Sequence, residues 1–223
     1  MLSKISTLII GDSHLPFEKK GYLKFCKKVY EEYKCSRVIH IGDLIDSHAI
    51  SNYASDPNGL SPKNEILKAR KRLKKWFEVF PNVYLCKGNH DKRIALKGKK
   101  DKLPNEVFKS FREIWQLPKG WIDAYEFIFD NVLYTHGEGY SGKNAHIQAA
   151  MDNRMSTVIG HLHSVSGVEY LANSKSIIFG MAVGCGIDVK KYAFEYGKGF
   201  RRKPILSVGV VSKNNAFVIP MKL

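Results

Sequence analysis

No stretch of this chain stays apolar for the roughly 18 residues that a membrane-spanning helix needs. The apolar run near the start breaks at Asp12, too early for the core of a secretory signal, so a cytoplasmic location is expected. Cysteine is scarce. Cys26, Cys35, Cys86 and Cys185 include no C-x-x-C pair, which argues against a disulfide scaffold and gives little support to a structural zinc site. There is no low-complexity linker and no internal repeat. Acidic residues are also few, 21 Asp and Glu against 36 Lys and Arg, for a formal net charge of +15. Such an excess favours polyanionic partners.

What is present is a globular composition, 44% hydrophobic and 26% charged over 223 residues. One α/β domain spanning residues 1–223 is expected. Thr7–Gly11, Arg37–Gly42 and Val83–Lys87 read as short apolar strands. Between them, Gly21–Tyr33 and Asn64–Phe80 carry apolar residues at helical spacing, with Ile66, Leu73, Phe77 and Phe80 in the second. This β-α-β-α-β order predicts a parallel sheet with helices packed on it. Pro104–Gln116 is expected as a further helix. Beyond it strands dominate. Tyr125–Phe129 and Val132–Thr135 flank a hairpin turn at Asp130-Asn131, and further strands are expected at Thr157–Gly160, Gly167–Leu171, Ile177–Phe179, Ile205–Val211 and Ala216–Ile219. A helix is expected near His146–Met151. Two packed sheets with outer helices fit this pattern best.

Five segments share one design: an apolar strand ending in Gly or a small residue, then at once a metal-capable side chain. They are Gly11-Asp12-Ser13-His14, Gly42-Asp43-Leu44-Ile45-Asp46, Gly88-Asn89-His90-Asp91, Thr135-His136-Gly137 and Gly160-His161-Leu162-His163. Carboxyl ends of strands in an α/β sheet converge on one edge, where ligands bind. Side chains two apart on extended chain point the same way, so Asp12 with His14, and His161 with His163, can share a cavity. Imidazole, carboxylate and amide oxygen together suit Mn, Fe or Zn better than Ca. Seven candidate ligands are too many for one closed tetrahedral site and about right for two ions sharing a carboxylate.

The ordered pattern D-x-H, G-D, G-N-H-D, H-G and G-H-x-H resembles the calcineurin-like metallophosphoesterases over Asp12 to His163, most of the chain. The resemblance implies a four-layer αββα sandwich with two mixed sheets. It implies one metal on Asp12, His14, Asp43 and His163, and a second on Asp43, Asn89, His136 and His161, with Asp43 bridging. His90 matches the histidine that protonates the leaving oxygen, and Asp46 the carboxylate that orients it. Two divalent ions, manganese first and iron or zinc as alternatives, would activate a water for in-line attack on phosphorus. The family's protein phosphatases carry an Arg directly after the residue matching Asp46. Ser47 stands there instead, which weakens a protein-phosphatase reading.

The basic stretches bear on substrate. Lys63–Lys75 is rich in Lys and Arg. Lys92–Lys102 carries six basic residues and starts beside the G-N-H-D turn, which marks Lys92, Arg93, Lys97 and Lys99 as substrate contacts. Tyr192, Phe194, Tyr196 and Phe200 interleave aromatics with Arg201, Arg202 and Lys203, as single-strand binders do. The expected activity is a metal-dependent phosphodiesterase or nuclease on nucleic acid. The alternative is a phosphomonoesterase acting on a protein or small molecule. His40, mid-strand, is expected as a packed core histidine, and Glu138 as a solvated loop carboxylate.

Overall fold

The computed structural model describes residues 5–52, 59–191, 201–213 and 215–222. Tyr192, Phe194, Tyr196 and Phe200 lie outside the described residues. No helix among the described residues is long and apolar enough to cross a membrane.

The first sheet contains β1 (Ser6–Ile10), β2 (Arg37–His40), β3 (Val83–Cys86), β4 (Trp121–Ala124), β10 (Ser207–Ser212) and β11 (Asn215–Pro220). Their order is β11-β10-β1-β2-β3-β4, with β1 to β4 parallel and the β10–β11 edge antiparallel. The second contains β5 (Glu126–Phe129), β6 (Val132–Thr135), β7 (Ser156–Ile159), β8 (Ser166–Ala172) and β9 (Ile177–Val183), in the order β5-β6-β7-β9-β8. It too is mixed: β6–β7 and β7–β9 are parallel, β5–β6 and β8–β9 antiparallel.

Strand residues alternate between faces with period two, so each buried strand feeds two interfaces. On β1, Leu8 and Ile10 join the cluster under helices α1 (Tyr22–Glu32) and α2 (Pro62–Val79), while Ile9 joins the cluster between the sheets. On β3, Leu85 and Cys86 divide the same way. A third apolar cluster, Ala145, Ala149, Ile159 and Ala182, sits between the second sheet and α5 (Ala145–Asn153). Three apolar interfaces separate four layers, the αββα sandwich.

Two local expectations change. Pro104–Gln116 is not one helix but a 3-10 turn, Asn105–Val107, followed by α4 (Phe111–Trp115). Ser110 restarts the helix through a capping box, accepting from the Glu113 N–H while Glu113 accepts from the Ser110 N–H. The basic segment after the G-N-H-D turn is α3 (Arg93–Lys100), which the periodicity had not marked as a helix. Lys97, Lys99 and Lys100 fall in its last turn, where cations suit the helix's negative end.

Candidate metal and phosphate site

All the sequence-predicted ligands lie just past the carboxyl ends of β1, β2, β3, β6 and β7, at one edge of the two sheets. The backbone there is strained. His14, Asp43 and His161 all have positive φ, at 49°, 46° and 64°. Non-glycine residues rarely adopt this region and do so most often at functional sites. Gly88 is required: a Cβ there would stand 2.2 Å from Asp43 Oδ1 and 2.6 Å from its backbone N.

The donor atoms form two groups that share Asp43. In the first, Asp12, His14, Asp43 and His163 bring one atom each within 4.8 Å of the others. His14 Nε2 stands 3.0 Å from His163 Nε2, which is 3.2 Å from Asp12 Oδ2. In the second, His136 Nε2 lies 3.0 Å from Asn89 Oδ1, 3.2 Å from Asp43 Oδ2 and 3.2 Å from His161 Nδ1.

This arrangement fits cations. His136 Nδ1 donates to the Ile41 carbonyl at 3.1 Å, so in the neutral ring Nε2 is a lone pair. That lone pair faces a carboxylate oxygen and an amide oxygen. His14 Nδ1 likewise donates to Asp46 Oδ1 at 2.8 Å, turning its Nε2 lone pair toward the first group. Asp12 Oδ1 is buried with no hydrogen-bond partner among the described residues. Atoms bound to one ion at about 2.1 Å and near right angles stand about 3.0 Å apart, the spacing seen here. The electrostatics agree. Burial alone would lower the His136 pKa, but the charges of Asp43 and Asp12 outweigh it and push the ring up to about 10. The same two carboxylates give the space beside His136 Nε2 the negative charge that a cation would neutralise. Asp43, though buried, is held well below the usual carboxylate range by His136 and His90.

A third trio, His14, Asp46 and His90, also converges, but differently. Asp46 Oδ1 meets Nδ1 of both rings, at 2.8 Å for His14 and 2.9 Å for His90. The carboxylate therefore orients a candidate metal ligand and the candidate acid together, where the sequence had suggested His90 alone. Burial would lower the His90 pKa, and Asp43 with the Asp46 hydrogen bond raise it on balance. Arg93 works against them. Its guanidinium donates to the Asp46 carbonyl at 2.8 Å and stands 3.0 Å from His90 Nε2. An incoming anion that draws Arg93 away would leave that nitrogen free to carry a proton.

Three residues missed in the sequence secure this edge. The buried Asp91 accepts from the N–H groups of Gly88 at 2.9 Å and Ile45 at 3.1 Å, tying one ligand turn to another. Burial and the nearby Asp43 push its carboxyl up to about 7, against those hydrogen bonds. Glu18, which ion-pairs with Arg72, buttresses the loop after His14. Glu65 accepts from the N–H groups of His48 and Ala49, at 2.8 and 2.7 Å. His40 is buried and neutral, its pKa pushed down to about 3 by burial, with Nε2 2.7 Å from Ser13 Oγ.

The expected substrate contacts separate. Arg93 reaches His90, and Lys97 lines a groove, whereas Lys99 is exposed on another face of α3. Lys92 is paired with Glu138, so that carboxylate is not simply solvated.

The chain belongs to the calcineurin-like phosphoesterases, whose family model matches residues 5–189. It is accordingly a hydrolase of phosphate esters, in a family that uses divalent metals. Among solved structures it is similar to an archaeal phosphodiesterase, with 16% identity, 97% of this chain and 100% of that one covered, and a TM-score of 0.48. It is also similar to vacuolar protein sorting 29 from Cryptosporidium parvum, at 12% identity, 98% and 92% coverage and a TM-score of 0.49. A third similar structure is the nuclease MPE of Pseudomonas putida, at 12% identity, 96% and 87% coverage and a TM-score of 0.34. No sequence among the curated proteins matches this chain.

Proposed function

We propose that this protein is a phosphodiesterase that cuts nucleic acid, with Asp12, His14, Asp43 and His163 on one divalent ion and Asp43, Asn89, His136 and His161 on the other. Manganese is the first choice for both, and residues 1–223 act as one domain. When bound, the ions supply positive charge for the phosphate and a lowered pKa for an attacking water. Arg93 grips a phosphate oxygen. His90, held at Nδ1 by Asp46, gives the proton on Nε2 to the leaving oxygen as its bond to phosphorus breaks.

The observation that carries the nucleic-acid reading is the face of α3. Arg93, Lys97 and Lys100 sit at i, i+4 and i+7, so they share one side of the helix. All three line a groove with Ile50 and Asn52, and the first of them stands against His90. A monoester has use for Arg93 but none for cations one and two turns away. A polyanion has use for all three. The test is a panel of chromogenic mono- and diesters, single-stranded DNA and RNA, run with Mn and with EDTA. Metal-dependent cleavage of diesters and of at least one nucleic acid is expected. Activity confined to monoesters would replace this reading with the phosphomonoesterase.

A further inference from the structure

A cavity of about 300 Å³ opens beside the catalytic edge and is not used by the chemistry above. Its floor is the turn at Ser47, Ala49 and Ile50, which begins one residue after Asp46. Ile66 of α2, Ile94 of α3, Phe108 and Trp115 form its walls. The floor is fixed in advance, because both carboxylate oxygens of Glu65 are engaged by the His48 and Ala49 N–H groups. The tip of the Phe108 ring presses on α3 at Gly98, where a Cβ would meet it at 2.3 Å. A larger hollow of about 610 Å³ exists near Asp130 and Phe179, but none of the candidate ligands borders it.

Position gives the cavity a side of the reaction. In the reaction proposed above His90 faces the leaving oxygen, and Arg93 beside it starts the groove along α3. Ile50 and Lys97 line both that groove and the cavity, so the two adjoin there. On that reading a group leaving past His90 meets Arg93 and then the groove that adjoins the cavity. The walls are apolar and aromatic with few polar groups, the usual make-up of a small-ligand pocket, and the volume is at the lower end of that range. It suits one flat ring system with part of a sugar. Lys97 at the shared rim suits the phosphate that such a group would carry on its far side.

On the nucleic-acid reading above, we infer that this cavity is a subsite for the base of the nucleoside on the leaving side of the scissile phosphate. Stacking of one base on aromatic side chains contributes roughly 5- to 150-fold in binding. A duplex keeps its bases paired, so the subsite also favours single strands.

The test uses three dinucleoside monophosphates on the full-length wild-type protein with Mn: one intact, one lacking the base on the 5′ side and one lacking it on the 3′ side. Exactly one of the two base-lacking forms should lose roughly 5- to 150-fold in kcat/KM, mostly through KM. Ala49→Phe, which fills the cavity, and Phe108→Ala, which removes a wall, should each impose the same loss on the intact form. Both should leave that base-lacking form and bis-nitrophenyl phosphate within about twofold. Equal rates for all three dinucleotides would overturn the subsite while leaving the nuclease reading intact. Cleavage of bis-nitrophenyl phosphate but of no dinucleotide would overturn both. If a variant loses the small diester too, its edge is damaged, and the wild-type comparison decides alone.

Discussion

The ligand edge and the α3 region sit side by side but are built on opposite principles. At the edge, side chains hold one another and the backbone: Asp46 holds two imidazoles, Asp91 holds two backbone turns, and His136 is held by a carbonyl. Along α3, Lys97 lines an open groove and Lys99 and Lys100 are exposed. An over-determined centre holds charge that would otherwise repel or remain unsolvated. A loosely held cationic face can follow a flexible polyanion. The difference predicts that mutations at the edge act on chemistry and metal, and those on α3 act on binding and its salt dependence.

The sharpest break should come at the carboxylate shared by both donor groups. Asp43→Asn should lower the rate by about 10³-fold or more, since metal polarisation is worth several kcal/mol. Elemental analysis should show metal content falling from about two ions per chain. Normal metal content with normal rate would remove Asp43 from the centre.

His90→Asn comes next, with an expected loss of about 10²–10⁴-fold. Metal content should not change, and the loss should shrink for diesters with good leaving groups, which need no proton. A mutant that loses metal would make His90 a ligand.

Asp46→Asn tests the double contact. Because Asp46 orients His14, metal affinity should weaken by about 10–100-fold, as for other groups that hold a ligand's far nitrogen. Because it also holds His90, the pH profile should move. The neighbouring carboxylates raise the His90 pKa on balance, so the acid keeps its proton to higher pH and activity falls only as pH rises through that value. Removing Asp46 lets the proton go at lower pH, and the basic limb should shift down. An unmoved basic limb would assign it to another group.

The smallest effect separates the faces of α3. Changing Lys97 and Lys100 to Ala should flatten the log–log salt dependence of oligonucleotide binding by about 1.4–1.8, each phosphate contact adding roughly 0.7–0.9. Changing Lys99 and Lys102 should leave the slope unaltered. Equal slopes for both pairs would leave these lysines as partners of the helix terminus alone.

The same contrast governs what could be read from the sequence. The candidate ligands were legible because each follows an apolar strand by one to four residues, and strand ends converge in this kind of fold. The hairpin at Asp130-Asn131 was legible for a local reason as well: both residues adopt positive φ, as a tight hairpin turn requires. The α3 helix was not, since among its eight residues only Gly98 is buried and four are basic. Apolar periodicity has little to register there. Ser110 with Glu113 forms a capping box whose S-x-x-E pattern is visible in the sequence, and it separates the 3-10 turn from the short helix that follows. The double role of Asp46 depends on which nitrogen of each ring faces it, which only the assembled edge decides.

The proposed activity stands or falls with the edge acting as a two-metal centre for phosphodiester hydrolysis. The direct measurement is a Mn titration of metal-stripped protein, following bis-nitrophenyl phosphate hydrolysis and bound metal together. No turnover is expected in EDTA, and the rate should saturate at about two ions per chain. Full turnover in EDTA with no bound metal would contradict it.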